Sequence, residues 1–127
     1  MDRGRRAARP GAVLSAADHA ARGALEALRA TLRADLDGGA EAARVVALDQ
    51  PIGRLSRMDA MQQQQMAAAT QRALDVCLAQ VEAALKAIDE GAYGECRGCG
   101  EAIGEPRLRA RPEAPFCLAC QSQREHR

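Results

Sequence analysis

The chain has 127 residues, about the length of one small domain, with a net charge of +1 and a hydrophobic fraction of 47%. Nearly half of its apolar residues are alanine, 29 in number, and only 21 are Leu, Ile, Val or Phe. A chain of near-neutral charge is not expected to be disordered throughout, yet so few large side chains cannot fill a wide globular core. Since alanine favours helices, the composition predicts thin, closely packed helices held by a local crosslink.

The N-terminal residues 1–14 form an arginine-rich segment that lacks the apolar core of a secretion signal, and we interpret them as a disordered basic tail. No apolar run approaches the roughly 18 residues of a membrane-spanning helix. We therefore expect a cytoplasmic protein that does not bind membranes. The near-neutral charge also gives no overall attraction to nucleic acid.

The first predicted element is one long helix over residues 15–48. Ser15 and Asp18 form a capping box at its start. Adjacent glycines at Gly38 and Gly39 predict a weak joint in this helix. One face carries leucines at helical spacing, namely Leu25, Leu28, Leu32 and Leu36.

A second long helix is predicted after a break at Pro51 and Gly53, because no proline or glycine occurs from residue 54 to residue 90. Its second half has a heptad seam formed by Leu74, Leu78, Val81, Leu85 and Ile88. Two such helices joined by a short turn predict an antiparallel coiled-coil hairpin over residues 15–90, with its tip near residues 49–59. The alternative is a compact helical bundle, which the shortage of large side chains disfavours. Cys77, beside the seam, is interpreted as a buried or half-buried helix residue.

The C-terminal part has a C-x2-C-x17-C-x2-C pattern, which is typical of a four-thiolate zinc site. Each C-x2-C pair turns its two sulfurs toward one point, and two pairs supply a closed tetrahedron for one structural zinc ion. Gly98 and Gly100 are expected to relieve the tight turn and to free backbone N–H groups for the sulfurs. We predict a zinc finger over residues 91–121, followed by a tail over residues 122–127. The predicted ligands are Cys96, Cys99, Cys117 and Cys120.

Other uses of four cysteines stay open at this point. Two disulfides are disfavoured in a cytoplasmic chain, and a thioredoxin-like dithiol would need a surrounding βαβ pattern that is absent. An iron–sulfur cluster also takes four thiolates, although the two-plus-two spacing suits zinc better. The predicted fold class is therefore mainly α, a long antiparallel coiled-coil hairpin with a small C-terminal four-cysteine zinc finger.

The segment from Tyr93 to Gly104, together with the Arg-Leu-Arg-Ala-Arg-Pro run ending at Pro112 and the second cysteine pair, closely resembles the DksA/TraR family. The residues from Gly53 to Ala60 look like the tip of the shorter, TraR-like members. The resemblance implies a bacterial transcription regulator that binds RNA polymerase. It also implies insertion of the hairpin through the polymerase secondary channel and altered initiation, in some members together with guanosine tetraphosphate.

The tip departs from the family pattern, because the closely spaced Asp-x-x-Asp pair of the best-known members is absent. The charged groups we expect to meet a partner are Asp49, Arg54 and Asp59. The alternative is that they cap helices and solvate the turn. The direction of regulation and the response to guanosine tetraphosphate are left open by this departure.

Three other classes of function compete with polymerase binding. A zinc ribbon that binds nucleic acid directly is disfavoured, because residues 89–127 lack an excess of basic charge. A coiled-coil scaffold that self-associates is the second alternative, whereas we expect a monomer. An enzyme is the least favoured class, because His19 and His126 are isolated and no nucleophile has a neighbouring acid–base pair.

Overall fold

The computed structural model describes residues 14–48 and 57–126, with side chains described outside residues 42–48. Within these ranges the chain forms helices and no β-strand longer than an isolated bridge between Glu95 and Ala102. The helices are α1 (Ala16–Leu48), α2 (Arg57–Asp89), α3 (Glu105–Ala110) and α4 (Leu118–Glu125).

Helix α1 begins at the predicted capping box. The backbone N–H of Asp18 donates to Ser15 Oγ at 3.1 Å, and the N–H of Ser15 donates to Asp18 Oδ2 at 3.4 Å. The helix continues through Gly38 and Gly39 without a break and ends at Leu48. Its 33 residues correspond to a length of about 50 Å.

Helices α1 and α2 pack side by side along the predicted leucine face and heptad seam. Leu25 and Leu32 of α1 are buried against Val81 and Ile88 of α2. Half-buried residues of the same two stripes surround this core, among them Leu28, Leu74, Leu78 and Leu85. The core is therefore one narrow apolar seam, as the composition predicts.

Contacts between the helices establish their antiparallel direction. Arg22 near the start of α1 pairs with Asp89 at the end of α2, and farther along the Arg33 Nη2 atom lies 3.0 Å from Glu82 Oε1. These exposed pairs add little to the free energy of unfolding, but they define the register. The predicted fold class, a mainly helical hairpin with a C-terminal four-cysteine unit, is confirmed.

The predicted boundaries of the chain's segments stay predictions. The tail before residue 14 and the turn at residues 49–56 lie outside the described residues. The boundary predicted at residue 121 falls inside α4, which continues to Glu125. Among the helices of residues 14–48 and 57–126, none has the length and apolar character needed to span a bilayer.

Candidate metal centre

The first cysteine pair lies in a tight backbone loop. The N–H of Ile103 donates to the carbonyl of Gly94 at 2.8 Å, and the N–H of Cys96 donates to the carbonyl of Glu101 at 2.8 Å. The loop closes at Gly100, whose φ of 77° lies in the left-handed region that favours glycine. This turn brings the two sulfurs of the pair to the same side.

The second cysteine pair lies at the start of α4. Cys117 is the N-cap residue, with an extended backbone at φ −67° and ψ 166°, and Cys120 lies one turn into the helix. The two pairs are held together by the backbone, because the N–H of Arg97 donates to the carbonyl of Pro115 at 2.9 Å. The loop and the helix start therefore meet at one point.

The four predicted ligand residues come together at that point. The Sγ atoms of Cys96, Cys99, Cys117 and Cys120 all lie within 4.8 Å of one another. The sulfurs of Cys99 and Cys117 are 3.9 Å apart, far beyond the roughly 2.05 Å of a disulfide bond. A tetrahedron with Zn–S bonds of about 2.3 Å requires sulfurs about 3.8 Å apart, so the cluster fits one zinc ion.

Backbone hydrogen bonds stabilise a thiolate at Cys96. Burial raises the pKa of Cys96. Hydrogen bonds from backbone N–H groups outweigh this effect and lower the pKa to about 6. The donors described are the N–H of Cys117 at 3.2 Å and the N–H of Gly98 at 3.3 Å. The prediction that Gly98 donates to a sulfur is confirmed. The N–H of Gly100 itself donates to the carbonyl of Cys96 at 2.9 Å.

The thiols of Cys99 and Cys120 do not favour further negative charge without a cation, because the pKa of each is raised. Hydrogen bonding with the thiol of Cys117, followed by that with Cys96, raises the pKa of Cys120 to about 12. Four adjacent thiolates repel one another, and a divalent cation at their centre removes this repulsion. The donor set therefore fits a soft divalent cation that deprotonates its ligands.

Gly98 has a steric role that the sequence reasoning missed. A Cβ atom at this position would lie 3.0 Å from the Sγ atom of Cys120 and 3.5 Å from the ring of Phe116. Any side chain at this position would press on the sulfur cluster. Only contact across the two cysteine pairs reveals this constraint.

The basic segment between the cysteine pairs braces the second pair. It forms α3, which begins after Gly104 at a φ of 105° and has a proline in its first turn. From α3 the Arg107 Nε atom donates to the carbonyl of Phe116 at 2.9 Å. The guanidinium of Arg124 also lies 4.3 Å from the centroid of the Phe116 ring. These contacts hold the residue immediately before Cys117.

Tyr93 joins the finger to the hairpin. Its ring packs against the core of the hairpin, and its hydroxyl donates to the carbonyl of Pro112 at 2.8 Å. Burial raises the pKa of Tyr93, and the negative charges of Glu113 and Asp18 add to this effect.

Glu113 lies at the same junction and was not singled out from the sequence. It is 6% exposed and accepts a hydrogen bond from Arg111 Nε at 3.3 Å. Burial raises the pKa of the nearby thiol of Cys77, and the charge of Glu113 raises it further. Cys77 is a half-buried α2 residue that packs against the hairpin core, as predicted, and it is not one of the four clustered cysteines. No sequence pattern marks Glu113, because its burial arises only when the finger has folded.

The predicted partner-contact residues are described only in part. Asp59 is exposed in the first turn of α2. Asp49 and Arg54 lie outside the described residues. Their role stays a prediction.

A slender two-helix hairpin that carries a four-cysteine unit at its base defines a helical zinc-finger protein. The model of the prokaryotic dksA/traR C4-type zinc finger matches residues 91–126. Solved structures extend the similarity to the hairpin. The structure of the transcription factor DksA2 from Pseudomonas aeruginosa is similar at a TM-score of 0.71 and 27% identity. The match covers 88% of this chain and 85% of the DksA2 chain.

Curated relatives match the C-terminal part of the chain. The chain is 47% identical over 47 residues to the RNA polymerase-binding transcription factor DksA of Haemophilus influenzae, covering 37% of this chain and 32% of that protein. It is 38% identical over 50 residues to the protein of the same name from Caulobacter vibrioides, and this match covers 39% of this chain and 35% of that protein. The similarity thus spans about a third of the length of these relatives. The C-terminal part of the chain is therefore similar to the C4-type zinc finger of dksA/traR proteins.

Proposed function

We propose that this protein is an RNA polymerase-binding transcription regulator that inserts its helical hairpin into the polymerase secondary channel and thereby modulates initiation. The observation that carries the proposal is the pairing of a hairpin with a C4 finger, which is similar to DksA2 over 88% of the chain. The relatives matched in the finger are named RNA polymerase-binding transcription factors. The proposal has no catalytic step, and it implies a cytoplasmic location.

The shape of the hairpin supports insertion into a narrow channel. Two helices of 33 residues each make a rod about 50 Å long. The rod is thin because its core is one seam of aliphatic residues and many of its other positions are alanine. The finger lies at the base, where the chain leaves α2, so the opposite end of the rod is the end that would enter a partner.

We propose Cys96, Cys99, Cys117 and Cys120 as the ligands of one structural zinc ion. The bound ion would supply a crosslink between the first loop and α4. Around it, the N–H groups of Gly98 and Cys117 hold the Cys96 thiolate, and Tyr93 fastens the finger to the hairpin. With four sulfur ligands, the site has no open position for a reacting water. In this proposal the finger therefore has a structural role and holds the base of the hairpin in place.

The test is binding of the zinc-loaded protein to immobilised core RNA polymerase, followed by measurement of open-complex lifetime. We expect wild type to be retained and to change that lifetime. An Asp59→Ala variant should bind more weakly if the first turn of α2 contacts the enzyme. An Asp75→Ala variant removes an exposed acidic side chain of the same helix, far from that turn, and is the matched control.

The outcomes separate the parts of the proposal. Failure of the intact, zinc-loaded protein to bind polymerase would refute the proposed function. Normal binding by the Asp59 variant would remove Asp59 from the contact while leaving polymerase as the partner. Tight, steeply salt-dependent binding to duplex DNA without polymerase would instead favour a nucleic-acid-binding module. A role for guanosine tetraphosphate and a monomeric state stay predictions, checked by repeating the assay with the nucleotide and by measuring mass in solution.

A further inference from the structure

The two halves of the hairpin differ in how much they bury. We call residues 16–36 and 74–89 the proximal half and residues 37–48 and 57–73 the distal half. The four core residues that are buried among the described side chains of the hairpin all lie in the proximal half, namely Leu25, Leu32, Val81 and Ile88. Both of the ion pairs described between the helices, Arg22–Asp89 and Arg33–Glu82, also lie there.

The described side chains of the distal half bury little surface between its helices. Among its described side chains, at residues 37–41 and 57–73, none is buried, and the half-buried ones are Gly39, Ala60 and Gln71. The methionines among these described side chains face solvent, since Met58, Met61 and Met66 are 79%, 57% and 67% exposed. Segments with few buried apolar contacts open more readily than the rest of a protein.

The junction between the halves lies at Gly38 and Gly39 of α1. Glycine in a helix interior is less favourable than alanine, because its backbone loses more freedom on folding. The two glycines differ in surroundings. A Cβ atom at Gly38 would meet nothing within 4 Å, whereas one at Gly39 would lie 1.8 Å from the Nε2 atom of Gln71. Gly38 therefore weakens the helix without taking part in packing.

We propose that the distal half opens as a cooperative unit of its own, with α1 yielding at Gly38–Gly39, while the proximal half stays folded. The hairpin is then two units of unequal stability in one pair of continuous helices. This inference concerns the free protein and holds whether or not polymerase is the partner. If the proposed function is correct, the unit that opens is the one that enters the channel.

The test is native-state hydrogen exchange of the zinc-loaded, full-length protein. In wild type, amides of residues 37–41 and 57–73 should exchange about tenfold faster, or more, than amides around the four buried core residues. Two variants then distinguish a hairpin that opens as one cooperative unit from a hairpin that opens as two. Gly38→Ala and Gly23→Ala are matched, because both sites lie in α1 and neither Cβ would meet an atom within 4 Å.

The variants should act asymmetrically. Gly38→Ala stabilises the helix of the distal half. Because the proximal half opens only together with the distal half, this variant should slow amide exchange in both halves by about four- to fivefold. Gly23→Ala should slow exchange by the same factor in the proximal half only, because the distal half opens without it. Equal protection of both halves in wild type, or slowing of distal exchange by Gly23→Ala, would show a single cooperative unit and overturn the proposal.

Discussion

Replacing Cys99 with serine tests the assignment of the four cysteines as zinc ligands. The change removes one of the four sulfurs that lie within 4.8 Å of one another. Zinc in small structural sites contributes about 10–16 kcal/mol at pH 7, which is also folding free energy. Ile103 is the large aliphatic side chain buried in the described part of the finger, and its burial contributes only about 2–3 kcal/mol. We therefore expect the variant to lose its zinc and residues 92–121 to unfold.

The hairpin should survive this loss, because it has its own core. Helices α3 and α4 supply 6 and 8 helical residues, against 33 in each of α1 and α2. Unfolding of the finger should therefore remove at most about one sixth of the helical circular dichroism signal. Tyr93, the single tyrosine of a chain without tryptophan, lies at the junction and reports release of the finger through its fluorescence.

The measurement is zinc per chain by elemental analysis, together with the two spectra. Cys77→Ala is the matched control, because Cys77 lies outside the sulfur cluster, and it should retain one zinc ion per chain. A Cys99→Ser protein with wild-type zinc content would refute the ligand assignment. Loss of most of the helical signal would show instead that the hairpin depends on the finger.

Three further substitutions test individual contacts. Val81→Ala should lower the free energy of unfolding, measured in urea, by about 2 kcal/mol, because it removes two methyl groups from a fully buried site. The control is Val76→Ala, at a site 58% exposed, which should change this free energy by less than about 0.5 kcal/mol. Equal effects would contradict the assigned seam. Tyr93→Phe should destabilise the finger by about 1 kcal/mol in thermal unfolding, since it removes a 2.8 Å hydrogen bond, and an unchanged transition would argue against that bond. Gly98→Ala should weaken zinc binding about tenfold or more in competition with a chromophoric chelator, because its methyl group would lie 3.0 Å from the sulfur of Cys120. Unchanged affinity would show that the cluster yields to this contact.

Local patterns in the sequence were sufficient for most of the fold. The capping box at Ser15, the leucine face of α1 and the heptad seam of α2 each depend on residues within a few turns of one another. Their prediction was confirmed because helix periodicity is a property of the local chain. The clustering of the four cysteines was predictable for a similar reason, since a C-x2-C spacing already brings two sulfurs to one side of a turn.

The glycines show where local reasoning ended. Gly38 and Gly39 predict a weak joint, and the helix is nevertheless continuous in the structure. Which of the two glycines admits a partner side chain depends on Gln71, which lies on the other helix. Gly98 was expected to serve the turn, but its space is required by Cys120 of the second pair.

The sequence by itself therefore determined a helical hairpin, a four-cysteine zinc finger and a similarity to the DksA/TraR family. Only the tertiary structure decided how the finger lies on the hairpin through Tyr93, that the side chain of Glu113 is buried, and which half of the rod contains the core. The physical reason is the range of the interactions. Helix formation and paired-cysteine turns depend on near neighbours, whereas burial and steric contact arise between residues that meet only after the chain has folded.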